Sequence, residues 1–223
     1  VGSEMCIRDR VRPAPGATVA HAAVELDARQ VDSTVRSLAR EGLLHVDREG
    51  PRLTFRMLRT IRDLALEGLD ESGERAVCTA RMRRWYAERW RGQPRSDALI
   101  DDVQRHYDDY LAALREALPV DPGAAVDLAL TLTRFWLFGS LRGIGVRWTT
   151  RVLAAPGVEG IDRARVLLAR GMLDKTDPDR SYADLIEAIP ALEQSGDPPF
   201  LVSAYMAVAL HETHRGHSEP AVA

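Results

Sequence analysis

The chain has 223 residues, 45% of them apolar and 28% charged, with a net charge of −3. That length holds one large or two small domains, and that balance suits a soluble globular protein with no bulk attraction for nucleic acid or an anionic membrane. No apolar run is long enough to span a bilayer.

Two cysteines, Cys6 and Cys78, cannot build a disulfide framework, so a reducing, cytoplasmic compartment is expected. There is one lysine, Lys175, against 29 arginines. That bias fits a GC-rich coding sequence better than a physical requirement. It also excludes a phosphate-binding G-x-x-x-x-G-K-[ST] loop, because Lys175 lies between Asp174 and Thr176 with no glycine before it. No G-x-S-x-G or G-x-G-x-x-G is present. No catalytic residue and no cofactor are therefore expected in this segment.

Val1 to Arg10 resembles a translated sequencing-adapter scar, and Pro13, Pro15 and Gly16 follow it. Residues 1–16 are expected to be disordered or artefactual. Thr18 to Leu26 reads as a short alanine-rich helix, Asp27-Ala28-Arg29 as a tight turn, and Gln30 to Leu43 as a second helix. Val31, Val35, Leu38 and Ala39 fall on one face of that helix, and Gly42 ends it. Leu43, Leu44 and Val46 can form a strand, Asp47 to Pro51 a turn, and Leu53 to Met57 the return strand. Helix, turn, helix and two-stranded wing make a partial winged helix-turn-helix.

In that geometry the second helix lies in a major groove. Arg29, Gln30, Ser33, Thr34 and Arg36 are then the candidate DNA-binding residues. The other reading is a packing module that touches no DNA. It is favoured because Asp27, Asp32, Glu41, Asp47 and Glu49 dilute the positive field that phosphate contact requires.

The stretch Arg52 to Glu74 joins this module to the helices that come after it. Leu53, Phe55 and Met57 alternate with polar residues at strand period. Leu58, Ile61, Leu64, Ala65 and Leu69 then recur at helical spacing, and Gly73 supplies a stop. The stretch resembles the R-F-R-M-L-E-T-I-R-E-Y-A-x-E-R-L-x-E-S-G-E signature of STAND-class bacterial transcriptional regulators and predicted ATPases, including ATP-binding LuxR-type regulators. The matches run from Phe55, Arg56, Met57 and Leu58 through Thr60, Ile61 and Arg62 to Glu71, Ser72, Gly73 and Glu74, with Ala65, Glu67 and Leu69 between. Arg59, Leu64 and Gly68 depart from it, and Gly68 in a helix interior costs about 1 kcal/mol against alanine.

The resemblance implies a winged-helix-like domain with connecting helix over residues 17–74 and a truncated tetratricopeptide-like array over 75–223. It implies a nucleotide-binding domain upstream, outside this segment, as an intramolecular partner. It also implies a protein or small-molecule inducer at the array and a ligand-biased switch between closed and open states. Phe55, Met57, Leu58, Ile61 and Leu64 are the expected inter-module junction, with Met57 and Ile61 the positions whose substitution should disrupt docking.

Residues 75–95 hold seven arginines and one acid, whereas residues 97–121 hold seven acids and two arginines. Trp85, Tyr86 and Trp90 interleave with the arginines, so a nucleic-acid patch is one reading. The favoured one is an antiparallel helix pair whose faces attract, with the two tryptophans anchoring its core. Ser96 is the expected N-cap of one helix carrying Ile100, Val103, Tyr107, Tyr110, Leu114 and Ala117. The paired acids Asp101-Asp102 and Asp108-Asp109 point to different sides of that helix and are expected to be solvated.

From Pro119 the chain repeats loosely. Helix starts near Gly123, Ile161 and Pro199 are 38 residues apart. Each interval holds two helices: Ala124 to Phe138 with Ile144 to Leu153, then Asp162 to Leu173 with Tyr182 to Gln194. That spacing reads as an α-solenoid of tetratricopeptide-like helix pairs. Pro190 is expected to kink or shorten its helix, and Phe135, Trp136, Phe138 and Trp148 to form inter-helix core. A last helix ends near Gly216. His211, His214 and His217 do not have the spacing of H-E-x-x-H, which argues against zinc. The fold class expected is mainly α. Direct DNA binding and a general protein-binding scaffold stand as alternatives to a regulatory switch.

Overall fold

The computed structural model describes residues 28–49, 52–92 and 96–214. The expected helix at Thr18 to Leu26 and the expectations for residues 1–16 lie outside the described residues. The chain is mainly helical: the described residues form ten helices and one two-stranded antiparallel sheet. It divides into two compact units, with the division after Glu116. The boundary expected after Glu74 falls inside the first unit.

In the first unit, helix α1 spans Ala28–Arg40. It begins at Ala28, where a turn was expected, and it stops before Leu43. The stop has a local cause. Gly42 takes φ +78°, and the Gly42 and Leu43 amides donate back to the Ala39 and Leu38 carbonyls at 3.2 and 2.9 Å. This is a glycine-terminated Schellman closure, which leaves the next residues extended. Strands β1 (Leu44–Glu49) and β2 (Arg52–Met57) follow. Of the turn expected over Asp47 to Pro51, Asp47, Arg48 and Glu49 instead stay in the ladder opposite Thr54, Leu53 and Arg52, and Gly50 and Pro51 lie outside the described residues. Helix α1 packs on β1, and Val31, Leu44 and Phe55 are buried. The period-two reading of Phe55 therefore holds.

Helix α2 (Arg59–Glu71) buries none of its residues. Its half-buried side is Ile61, Arg62, Leu66 and Leu69, whereas Leu64 and Ala65 are exposed. Leu58 precedes the helix in extended geometry (φ −59°, ψ 145°). A stripe counted from Leu58 is therefore out of phase with the helix that forms. Gly73, at φ +74°, ends the run, and Arg75 pairs with Asp70 across the stop. Helix α3 is Arg75–Glu88.

The single helix expected from Ser96 is two: α4 (Asp97–Arg105) and α5 (Tyr107–Ala117). They break at His106, whose φ −116° and ψ 26° leave the helical region. Ser96 occupies the N-cap position but its hydroxyl makes no cap bond. Val103, Tyr110 and Leu114 are buried as their spacing implies.

In the second unit, α6 (Pro122–Phe138) pairs with α7 (Arg142–Leu153), and α8 (Gly160–Leu173) pairs with α9 (Pro178–Ser195). Helix α10 (Pro198–His214) packs on α9. The first helices start at Pro122, Gly160 and Pro198, an interval of 38 residues each time. Each start lies one residue before its expected position. Asp121 and Asp177 set two of the helix starts, accepting from the Ala124 and Arg180 amides at 3.0 Å.

Glycine lets the pairs close. A Cβ on Gly145 would lie 2.8 Å from the Trp136 ring and 2.9 Å from Leu173 Cδ1, so α6, α7 and α8 meet there. Trp136 is fully buried and Trp148 nearly so, as expected. Phe138 is not core: it is 74% exposed, with the Arg134 guanidinium 5.6 Å from its ring centroid. Pro190 does not shorten α9, which continues to Ser195. The residue whose carbonyl it orphans, Ile186, is exposed, so water can satisfy that carbonyl.

Candidate functional site

The candidate DNA-reading residues all project from α1 to solvent. Arg29, Gln30, Ser33, Thr34 and Arg36 are each exposed. The helix supplies this by turning Val31, Val35 and Leu38 the other way. The exposed face is not a field of unopposed positive charge, however. Arg36 Nε donates to Asp32 Oδ2 at 2.8 Å, and this bond holds the guanidinium more firmly protonated. The Ser33 hydroxyl donates to the Gln30 carbonyl at 2.9 Å, and the Ser37 hydroxyl to Glu41 at 3.1 Å. A phosphate approaching Arg36 must displace a carboxylate already in place.

The expected junction residues fall in two groups. Phe55 is buried, and Met57 and Ile61 are half-buried. Leu58 and Leu64 are 60% and 66% exposed. The α2 face that packing reaches instead holds Leu66 and Leu69.

The most elaborate polar arrangement was not expected from the sequence. Asp102 on α4 is buried, and its carboxylate accepts four hydrogen bonds. Arg89 Nε and Nη2 each donate at 2.8 Å, Trp90 Nε1 at 3.0 Å and Tyr110 Oη at 2.7 Å. Burial opposes its charge most strongly. The hydrogen bonds and charge of Arg89, then the Trp90 and Tyr110 donors, outweigh burial and hold the carboxyl below its ordinary range. Tyr86 is buried beside Tyr110, ring centroids 4.6 Å apart, and donates to Asp109 Oδ2 at 3.2 Å. Burial, then the facing aspartates, push both phenols well above their ordinary range. His106 sits between the two acids, Nδ1 3.6 Å from Asp109 and Nε2 4.0 Å from Asp102.

In this cluster an arginine of the basic segment is bound by an acid of the acidic one, as the reading of mutual attraction expects. It also corrects two details. Asp102 and Asp109 are buried and bonded, while only Asp101 and Asp108 face solvent. Of the three aromatics in the basic segment Tyr86 is the buried one, whereas Trp85 and Trp90 are half-buried. Arg89 stacks over the Trp85 ring at 4.3 Å.

A smaller set repeats the theme in the second unit. Arg170 on α8 makes a two-pronged bond with buried Asp184 on α9, both contacts 2.7 Å. Asp174 is buried in the α8–α9 connection. Its carboxylate is disfavoured most by burial, but Arg180, then the Thr176 hydroxyl and amide, keep it below the ordinary carboxylate range. His211 Nε2 donates to the Pro178 carbonyl at 2.8 Å rather than capping its own helix end. His217 lies outside the described residues.

The carboxylates of Asp102, Asp109, Asp174 and Asp184 are each matched to a structural partner. Among the described residues no cluster of three or more His, Cys, Asp or Glu side chains is placed to hold a metal ion. No described helix is long and apolar enough to cross a membrane. Comparisons with protein-family models, with curated proteins and with solved structures found no match to this chain.

Proposed function

We propose that the chain is a non-catalytic segment of a signal-responsive transcriptional regulator, working through intramolecular and partner-protein contacts. In this reading α1, β1 and β2 are the recognition helix and wing of a winged helix-turn-helix, and α6 to α10 are tetratricopeptide-like units of an α-solenoid. The observation that carries it is the 38-residue interval between Pro122, Gly160 and Pro198, each opening a helix that packs on its neighbours. Arrays of that kind present repeated surfaces to other proteins. The resemblance of Arg52 to Glu74 to the STAND-class signature supplies the regulatory context: a bacterial, cytoplasmic protein with an upstream nucleotide-binding domain. An inducer, protein or small molecule, acts at the array.

The segment needs no nucleotide of its own in this reading. Isothermal titration with ATP and Mg²⁺ is expected to give no binding heat. Saturable binding would contradict the division of labour, because it would place the nucleotide site on this chain.

Direct DNA contact through Arg29, Gln30, Ser33, Thr34 and Arg36 is the second reading, and their common exposure on α1 favours it. The Asp32–Arg36 pair argues the other way.

A further inference from the structure

The arginines of the second unit divide into two sets. On α8 and α9 each is bound to a carboxylate: Arg163 to Glu187, Arg165 to Asp197, Arg170 to Asp184 and Arg180 to Asp174. From Leu128 to Val158 the chain carries Arg134, Arg142, Arg147 and Arg151 and no Asp or Glu. Among the described residues none of these four meets a carboxylate.

Arg134 and Arg142 stand at one end of the α6–α7 hairpin, on either side of Phe138 and the short connection Gly139-Ser140-Leu141. Arg134 is half-buried. Its Nε is enclosed and donates to no acceptor, and its guanidinium lies against the exposed Phe138 ring. Neither arginine serves the fold where it stands. At the 38-residue interval Arg134 is followed by Met172 and Leu210, so the repeat favours an apolar side chain at its position. An enclosed donor without an acceptor lowers stability. Arg142 lies in the first turn of α7, where the helix dipole disfavours a cation.

The next helix pair shows what such an arginine takes when the chain provides it. Arg180, in the first turn of α9, donates through Nε to Asp174 Oδ2 at 2.9 Å, and Asp177 lies 3.8 Å away. Both acids belong to the α8–α9 connection, whereas the α6–α7 connection offers none. We propose that this end of the α6–α7 hairpin binds an acidic segment of a partner protein. Its carboxylates take Arg134 and Arg142, and a neighbouring apolar side chain covers Phe138. This names the partner chemistry for the array and rests on the protein-contact reading above. Guanidinium forks match carboxylates two-pronged, as Arg170 and Asp184 already do. A polynucleotide fits less well. Two arginines and one ring do not make the row of cations that phosphates follow, and the chain is net negative.

The test is fluorescence anisotropy with the full chain and a fluorescein-labelled peptide of alternating glutamate and leucine. Saturable binding is expected, and Arg134→Met should weaken it about tenfold or more. Phe138→Ala should weaken it about fivefold but leave binding of an all-glutamate peptide unchanged. Arg147→Ala, which removes the same charge from an exposed position of α7, should change it by less than about twofold. Arg134→Met should not lower the thermal melt, because methionine stands at the equivalent place on α8, so lost binding cannot be laid to unfolding. A parent that fails to bind the peptide overturns the proposal, as does binding that Arg134→Met leaves intact. Either result leaves the protein-contact reading standing, which falls instead to nucleotide or duplex binding. A single-stranded oligonucleotide that binds more tightly than the peptide, and is weakened by Arg134→Met, also overturns the proposal and assigns the site to phosphate.

Discussion

Gly171 and Leu185 meet so closely that a Cβ on the glycine would lie 2.9 Å from both Cγ and Cδ2 of the leucine. The Ser181 carbonyl would be 2.9 Å away on the same side. A backbone carbonyl cannot swing aside, so the contact fixes how near α9 comes to α8. Alanine at this position gains about 1 kcal/mol of helix propensity but incurs roughly 1–3 kcal/mol of overpacking. Gly171→Ala should therefore lower stability by up to about 2 kcal/mol. Gly68 is the counter-case, since a Cβ there meets nothing within 4 Å. Gly68→Ala should raise stability by up to about 1 kcal/mol. Urea unfolding of the two variants checks both signs.

The Asp102 carboxylate makes stability depend on pH. Its pKa in the folded state lies below the unfolded value. The stabilisation is thus complete above the unfolded pKa and is lost as pH falls through the folded one. Unfolding midpoints should hold near neutrality and fall below about pH 4. Asp102→Asn leaves the half-buried Arg89 charge without its partner and should cost roughly 2–3 kcal/mol at neutral pH. It should also flatten the acid limb, which a urea series across pH would reveal.

The hairpin and the helix after it should respond differently to truncation. Phe55 is 2% exposed, so Phe55→Ala should cost roughly 3–4 kcal/mol. Leu64→Ala, at a 66% exposed position, should stay within about 0.5 kcal/mol. Ile61→Asp, on the half-buried side of α2, should loosen the packing of α2 on α3, read as faster amide exchange in both helices.

These contrasts reflect what a linear pattern conveys. The 38-residue interval was legible because Pro and Gly punctuate it at Pro122, Gly157, Gly196 and Pro198. The hairpin was legible because Phe55 and Met57 alternate with polar neighbours. The phase of α2 was not, because Leu58 looks helical in sequence yet stands in extended backbone ahead of the helix. The buried acids were hidden for another reason. Asp101-Asp102 and Asp108-Asp109 read as solvated doublets, and only the break at His106 and the arrival of Arg89 turn one member of each inward. The charge contrast was the available signal, since seven arginines beside seven acids imply pairing. It did not say which acid would be enclosed. Of the candidate DNA-reading face, exposure was legible, whereas the Asp32–Arg36 bond was visible only as an i, i+4 possibility.

The proposal that the chain works by protein contact rather than by reading DNA is tested most directly by a salt titration of duplex binding. A fluorescent duplex of random sequence would be followed by anisotropy from about 50 to 200 mM salt. The account predicts no binding at the low-salt end, with Ser33→Ala, Thr34→Ala and Arg36→Ala all indistinguishable from the parent. Binding that weakens steeply with salt, and that Arg36→Ala reduces, would contradict it and make α1 a recognition helix in the literal sense.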